Sequence, residues 1–304
     1  MIKHNNYLGL RSILLTPIMD DRKWAKIPDI AADSFFVDLE DSLPVAQKEA
    51  GRSRAVEYLR QPGFFGGRVT AARPNGLSTH WGRDDIAALA EAGVTCVVTP
   101  MIDTAEEVLE YQELFRAGGA DPDIFATIET PRATVEVEKI AQLDKVVALL
   151  FGVGDLSVGS GVPLLGAGGE TNPAFLPSKM RTVMAAAAFG LMVSDIVFLP
   201  DVRDLEAARR GYAASRELGF TMGDTFYPPH IPIINELFGV SGAELSQAAE
   251  VIEAYEAAVA AGDPAVTLPT GRVLLIHDYH KALKVRQRAE AGALTQAQHQ
   301  GGQD

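Results

Sequence analysis

Eight short apolar runs, rich in β-branched residues, recur about every thirty residues along most of the chain. They are Ile13–Ile18, Phe35–Asp41, Arg68–Arg73, Cys96–Met101, Ile124–Glu129, Val146–Gly152, Met192–Phe198 and Phe220–Tyr227. Each is nearly continuous in hydrophobicity, which suits parallel strands buried on both faces. Segments with helical spacing lie between them. Lys48–Arg60 places apolar residues at Ala50, Ala55, Val56 and Leu59, and Asp84–Ala92, Thr104–Ala117, Ala133–Leu143, Ser178–Phe189 and Asp204–Leu218 repeat the form. Asp103-Thr104-Ala105-Glu106 reads as a helix start, with a capping hydroxyl and an acidic first turn. This alternation predicts an α/β fold, a (β/α)8 TIM barrel over residues 1–240. A doubly wound open sheet is the competing arrangement. It has fewer strands and a glycine-rich dinucleotide loop, and no G-x-G-x-x-G follows the first run.

Residues 241–304 fall outside the alternation and are expected to form a C-terminal helical extension that packs on a neighbouring subunit. Gly242–Ala261 is an alanine-rich helix. A turn-rich stretch follows, with Gly262-Asp263-Pro264 and Pro269-Thr270-Gly271. Then come a short apolar run, Arg272–Ile276, a basic helix, Tyr279–Ala291, and a polar tail.

Composition excludes several classes of function. Lys and Arg total 27 against 40 Asp and Glu, a net charge of −13, which repels nucleic acid and anionic membrane surfaces. Any anionic substrate must therefore meet a local cluster of arginine, metal or helix N-termini. The single cysteine, Cys96, lies within an apolar run, so an intrachain disulfide and a cysteine-based metal site are both excluded. No stretch reaches the roughly 18 apolar residues of a membrane span. The N-terminal MIKHNNYLGLRS lacks the apolar core of a signal peptide, so a cytoplasmic location is expected.

Charged residues cluster where the apolar runs end. The second run ends in Asp38-Leu39-Glu40-Asp41, the third in Arg73-Pro74-Asn75, the fifth in Glu129-Thr130 and the sixth leads into Gly154-Asp155-Leu156. In a parallel barrel all strand C-termini open on one face, so these groups converge. Converging carboxylates repel one another and call for a cation. Oxygen ligands without a Cys or His cluster point to Mg²⁺, with Mn²⁺ as the alternative. Each residue also has a structural use: Glu40 and Asp41 as caps for the helix at Ser42-Leu43-Pro44, and Arg73 as an ion-pair partner of any carboxylate. His80 and Trp81 read as loop residues or as lining of the mouth, and Gly166–Gly169 as a flexible loop. His277 and Lys281 share a helical face, but without a third ligand they make no metal site.

These segments resemble a known family. FFVDLEDSLPVAQKEAGR, ARPNG, IETPRA and FGVGDLSVGSG are similar, in order, to the motifs of the citrate lyase β-subunit-like and malyl-CoA lyase branch of the HpcH/HpaI aldolase superfamily. The resemblance implies a homo-oligomeric barrel, a trimer or hexamer, that makes or breaks carbon–carbon bonds beside a thioester or a 2-oxo acid. Glu129 and Asp155 are the implied Mg²⁺ ligands. Arg73 would pair with substrate oxygens and, with Asn75 and Pro131, line the substrate site. Glu40 and Asp41 would hydrogen-bond the ion's waters and position the reacting group. GRVLLIHDYHKALKVRQRAE resembles the family's final motif, whose aspartate reaches a neighbouring subunit's site and corresponds to Asp278. Asp278 is the implied general base, Asp41 the reserve, and an N-cap role for Asp278 stays open. Two places depart from the pattern. Val98-Thr99-Pro100-Met101 lacks the lysine that relatives carry after the proline, and Pro228-Pro229-His230 alters the segment after the last strand.

The expected activity is Mg²⁺-dependent cleavage of a 3-hydroxyacyl thioester, carried on coenzyme A or an acyl carrier, to a 2-oxo acid and a shorter thioester, or the reverse condensation. The competing readings are a thioesterase on the same acyl-CoA class, a thioester-independent 2-oxo acid aldolase, and a non-catalytic partner of a carrier protein. The aldolase branch pairs Glu with His at the end of the second strand, where this chain has Glu40-Asp41.

Overall fold

Parallel pairing closes the apolar runs into a barrel. The computed structural model describes residues 5–262, 266–268 and 271–301. The turns proposed at Gly262-Asp263-Pro264 and Pro269-Thr270-Gly271, and the last residues of the polar tail, fall largely outside the described residues. The strands are β1 (Ser12–Pro17), β2 (Ser34–Asp38), β3 (Val69–Arg73), β4 (Cys96–Thr99), β5 (Asp123–Ile128), β6 (Val146–Phe151), β7 (Met192–Ile196) and β8 (Met222–Thr225). Each pairs with the next, and β8 returns to β1. Around and beyond them run α1 (Asp21–Trp24), α2 (Lys48–Arg60), α3 (Gly82–Glu91), α4 (Ala105–Ala117), α5 (Pro131–Ala141), α6 (Val153–Ser160), α7 (Leu176–Phe189), α8 (Leu205–Leu218), α9 (Ile231–Phe238), α10 (Gly242–Ala260) and α11 (Ile276–Gly301).

The continuous apolar runs are explained by two cores on opposite faces of the same strands. Ile13, Phe36, Ala71, Cys96, Val98, Phe125, Leu150, Met192 and Met222 fill the barrel interior. Their neighbours Leu14, Phe35, Val37, Val97, Ile124, Ala126 and Leu149 face the helical layer. Helix starts follow local chemistry: Thr104, Thr130, Asp204 and Ser241 each accept a backbone N–H from the first turn.

The strands are shorter than the runs at their C-terminal ends. The run Phe35–Asp41 pairs only as far as Asp38, and Phe220–Tyr227 only over Met222–Thr225. Beyond Asp38 the backbone is held by that residue's own side chain, which accepts the N–H groups of Glu40 (2.9 Å) and Ser42 (3.0 Å). No helix starts at Ser42-Leu43-Pro44, so Glu40 and Asp41 cap none there; the segment is a turn held by Asp38, and α2 begins at Lys48.

The C-terminal extension has a small core of its own, built from Ala248, Val251, Ile252, Leu268, Leu274 and Ala282. The second half of α11 docks at the N-terminal pole of its own barrel. Arg288 donates to the Thr221 carbonyl, just before β8, and to the Phe238 carbonyl (3.0 Å). Gly9 lies so close to α11 that a Cβ there would come within 2.5 Å of the Ala291 carbonyl oxygen. At the other end of the extension Val273, Leu275 and Ile276 are about half exposed. Among the described residues no helix is long and apolar enough to cross a membrane.

Candidate active site

The paired registers Pro17–Asp38 and Asp38–Arg73 bring the ends of β1, β2 and β3 level at the mouth. Arg73 donates from Nε and Nη2 to the two oxygens of Asp38, both at 2.8 Å. It also meets Glu40 Oε2 at 3.0 Å and Asp41 Oδ2 at 3.2 Å. Burial alone would raise the Asp38 carboxyl, but the Arg73 guanidinium and two backbone donors hold it below its ordinary value. Glu40 is different: burial, opposed by Arg73 and reinforced by Glu129, Asp41 and Asp38, pushes it up to about 8.

This corner is braced from behind. Lys48, buried on α2, donates to the carbonyls of Leu39 (3.0 Å) and Glu40 (2.6 Å) and to Asn75 Oδ1 (2.6 Å). Asn75 Nδ2 in turn donates to the Leu39 carbonyl (2.9 Å) and to Asp85 Oδ2 (2.6 Å), and Arg52 holds the other oxygen of Asp85 (2.6 Å). Asn75, expected to line the substrate site, has its side chain buried and hydrogen-bonded so that it braces the β2 and β3 ends.

Glu129, directly after β5, is buried and aimed into the mouth. Its Oε1 accepts the Met101 N–H at 2.6 Å, and Met101 adopts a left-handed φ of 49° to present it. Gly152 leaves room for the carboxylate, since a Cβ there would stand 2.5 Å from Glu129 Cβ and 2.7 Å from Oε2. Burial is the chief cause that pushes Glu129 up to about 7; the Met101 N–H and Arg73 oppose it, while Asp155 and Asp41 add to it. Asp155, in the first turn of α6, is raised by burial and by Asp41. The Thr127 hydroxyl, one inward step down β5 from Glu129, is buried and has no hydrogen-bond partner among the described residues.

These groups line one cavity of about 420 Å³ at the C-terminal end of the barrel. Its charged side holds Asp38, Asp41, Arg73, Glu129 and Asp155, with Glu40 just behind Arg73. Its apolar side holds Leu15, Phe36, Val98, Leu150, Ile196, Phe198 and Phe226, with Lys23 at the rim. The sequence-expected Arg73, Asp41, Glu129 and Asp155 thus come together. Pro131 does not join them in the cavity lining: it is the exposed first residue of α5, packed against Gly159. Asp278 is outside the cavity of its own chain. Its Oδ2 accepts the Leu275 N–H at 3.0 Å and its Oδ1 pairs with Arg272 at 2.7 Å, so within one chain it caps the start of α11. His80 packs against Trp81 with the rings tilted and their centres 3.8 Å apart, just before α3 rather than in the cavity lining. His230 is buried, with Nε2 on the Val202 carbonyl (2.9 Å) and Nδ1 on Thr225 (3.2 Å), which pins the altered segment after β8.

Sequence reasoning missed three members. In the sequence Asp38 is only part of a carboxylate run, Lys48 only the first residue of a segment with helical spacing, and Asp224 carries no motif. The inward parity of β8, Met222, Asp224, Phe226, was the available signal for the last.

A parallel barrel whose mouth gathers acidic groups around one arginine defines a class, and the comparisons give it a family. The HpcH/HpaI aldolase/citrate lyase family profile matches residues 11–228, and the chain belongs to that family. It is 28% identical over 255 residues to a (3S)-malyl-CoA thioesterase of Cereibacter sphaeroides, covering 82% of this chain and 84% of the relative. It is 26% identical over 271 residues to the citrate lyase subunit beta of Escherichia coli, covering 86% and 87%. Among solved structures it is similar to the CitE protein of Mycobacterium tuberculosis in complex with magnesium, acetoacetate and coenzyme A. That likeness has a TM-score of 0.76 at 25% identity, covering 93% of this chain and 98% of that one.

Proposed function

We propose that the protein is a Mg²⁺-dependent carbon–carbon lyase acting on a 3-hydroxyacyl thioester, with coenzyme A or an acyl carrier as the thioester carrier. The observation that carries this reading is the imbalance of charge at the mouth. Asp38, Glu40, Asp41, Glu129 and Asp155 surround the single guanidinium of Arg73, and two of them are pushed toward or above neutrality. Such a cluster suits a divalent cation. Among the described residues no three acidic, His or Cys side chains converge as a closed cage. Two carboxylates with open positions fit Mg²⁺, which keeps waters and substrate oxygens, and Mn²⁺ fits the same donors. Glu129 and Asp155 would hold the ion. Bound there, it supplies Lewis-acid polarisation of a 2-oxo acid unit.

The chain's own groups supply the rest. Arg73, fixed in orientation by Asp38, offers positive charge where the alkoxide and then the thioester enolate develop. A general base takes the substrate hydroxyl proton, the carbon–carbon bond breaks, and its electron pair passes to the carbon beside the thioester, which is then protonated. Asp278 of a neighbouring copy is assigned as that base, since in its own chain it stands away from the cavity. Asp41 is the base available within one chain. The half-exposed Val273, Leu275 and Ile276 beside Asp278 support a homo-oligomer, a trimer or hexamer by family resemblance, in which the start of α11, rather than the half docked on its own barrel, meets a neighbour's barrel.

A thioesterase is the second reading, favoured by the likeness to the Cereibacter sphaeroides thioesterase. The test incubates the protein and Mg²⁺ with malyl, citramalyl and citryl thioesters, in coenzyme A and carrier-protein forms. Products are read by mass spectrometry, with Glu129→Ala as control. A 2-oxo acid plus a shortened thioester, lost in the variant, is the expected result. Free carrier with an intact hydroxy acid makes the protein a thioesterase. Turnover that survives Glu129→Ala overturns the metal assignment. A tight Mg²⁺ site with no turnover points to the non-catalytic role.

A further inference from the structure

One carboxyl in the mouth stands apart from the charged side. Along β8 the inward positions run from Met222, in the closed interior, through Asp224, in the cavity wall, to Phe226 at the rim. Along β7 the parallel series is Met192, Ser194, Ile196 and Phe198. Asp224 therefore lies on the floor, among apolar neighbours, one step above the packed interior. Its Oδ1 accepts the Ser194 hydroxyl at 2.7 Å. Among the described residues no cation lies within ion-pair distance of it, and Ser194 is the one side chain that donates to it. Burial pushes this carboxyl up to about 7, the Ser194 hydroxyl, its own backbone N–H and the more distant Arg73 opposing it and Asp195 on β7 adding to it.

A buried carboxyl without a cation is costly to the fold. It braces little in return, because Ser194 is the one side chain it holds. The direction a substrate must take gives it a use. Resting on the metal-site reading above, the 2-oxo acid end of the substrate lies against Arg73, Glu129 and Asp155. The thioester carrier is large and must leave through the open mouth. The remaining substituent on the oxo-acid half then points down to the floor, at Asp224.

We propose that Asp224, positioned by Ser194, is a specificity-determining residue that selects a neutral hydrogen-bonding substituent, a hydroxyl, on the 2-oxo acid half of the substrate and rejects a second carboxylate there. Charged or protonated, the carboxyl can hydrogen-bond a hydroxyl. Against a carboxylate in the same apolar floor, an ionised Asp224 is repulsive. A methyl group, with no polar contact to make, is tolerated between these extremes.

The test is calorimetric titration of the full chain at pH 8.5 in Mg²⁺ with pyruvate, 3-hydroxypyruvate and oxaloacetate as graded probes. In the wild type 3-hydroxypyruvate is expected to bind about tenfold or more tighter than pyruvate, and oxaloacetate weaker than pyruvate. Asp224→Leu should abolish the hydroxyl preference and keep pyruvate binding. Asp224→Asn, close in shape and therefore safe for folding, should keep the hydroxyl preference and relieve the penalty on oxaloacetate. An order of affinities unchanged in both variants, or tightest binding of oxaloacetate by the wild type, overturns this inference alone. A wild type that binds none of the three overturns the metal-site reading together with it.

Discussion

Glu129→Gln tests the cation requirement without any knowledge of the substrate. The substitution keeps size and still accepts the Met101 N–H, but it cannot ionise. In the metal-free protein Glu129 is pushed from its ordinary 4.5 up to about 7. Between those values the folded chain holds a proton that the unfolded chain has released, so stability falls as pH rises and the loss is complete above about pH 7. The shift corresponds to about 3 kcal/mol. Urea unfolding in EDTA at pH 5 and pH 8 measures it. The wild type should lose stability over this interval, while the variant should lose less and be the more stable protein at pH 8, by up to about 3 kcal/mol. Adding Mg²⁺ at a hundred times its dissociation constant should restore about 2.7 kcal/mol to the wild type and little to the variant. A variant less stable than the wild type in EDTA at pH 8, or equal stabilisation of both by Mg²⁺, would refute the reasoning.

Three further outcomes follow from particular contacts. Gly152→Ala drives a methyl group into Glu129, so it should cost about 1–3 kcal/mol and weaken Mg²⁺ binding by tenfold or more, read by urea unfolding and calorimetry. Asp38→Asn breaks a buried bidentate pair and should destabilise by about 3 kcal/mol. Combining it with Arg73→Gln should cost less than the sum of the two single changes, and strict additivity would show that the pair is not coupled. Gly9→Ala pushes α11 off the barrel pole, so amide exchange over 276–301 should accelerate while Mg²⁺ affinity stays within about twofold.

Much of the fold was legible because parallel strands with two buried faces leave near-continuous apolar runs that helices interrupt. The helices missed were those whose composition argues against them. α6 spans Val153–Ser160 and is rich in glycine, serine and valine, poor helix formers, so no helical spacing marks it in the sequence. α9, Ile231–Phe238, follows Pro228-Pro229-His230 and was hidden behind that turn signal. The site was legible as a set of strand-end charges but not in its division of labour. Asp38, Glu40 and Asp41 are near-equivalent on paper. Only the point at which β2 stops pairing decides that Asp38 binds both oxygens to Arg73, while Asp41 is left facing solvent. The bracing role of Asn75 was hidden for a related reason, because side-chain direction past a strand end is set by packing against Lys48 and Asp85, which lie elsewhere in the chain. Asp224 gave no motif, and only its parity on a known barrel strand turns it inward.

Met101 carries a consequence for any effort to harden this protein. A non-glycine residue held at φ 49° costs roughly 1–2 kcal/mol, and glycine would relieve that strain. Screening for heat resistance alone would therefore favour glycine at position 101. The gain would come from loosening the loop whose N–H fixes Glu129, so the variants that survive heating best would be the ones least able to keep that carboxylate aimed into the mouth.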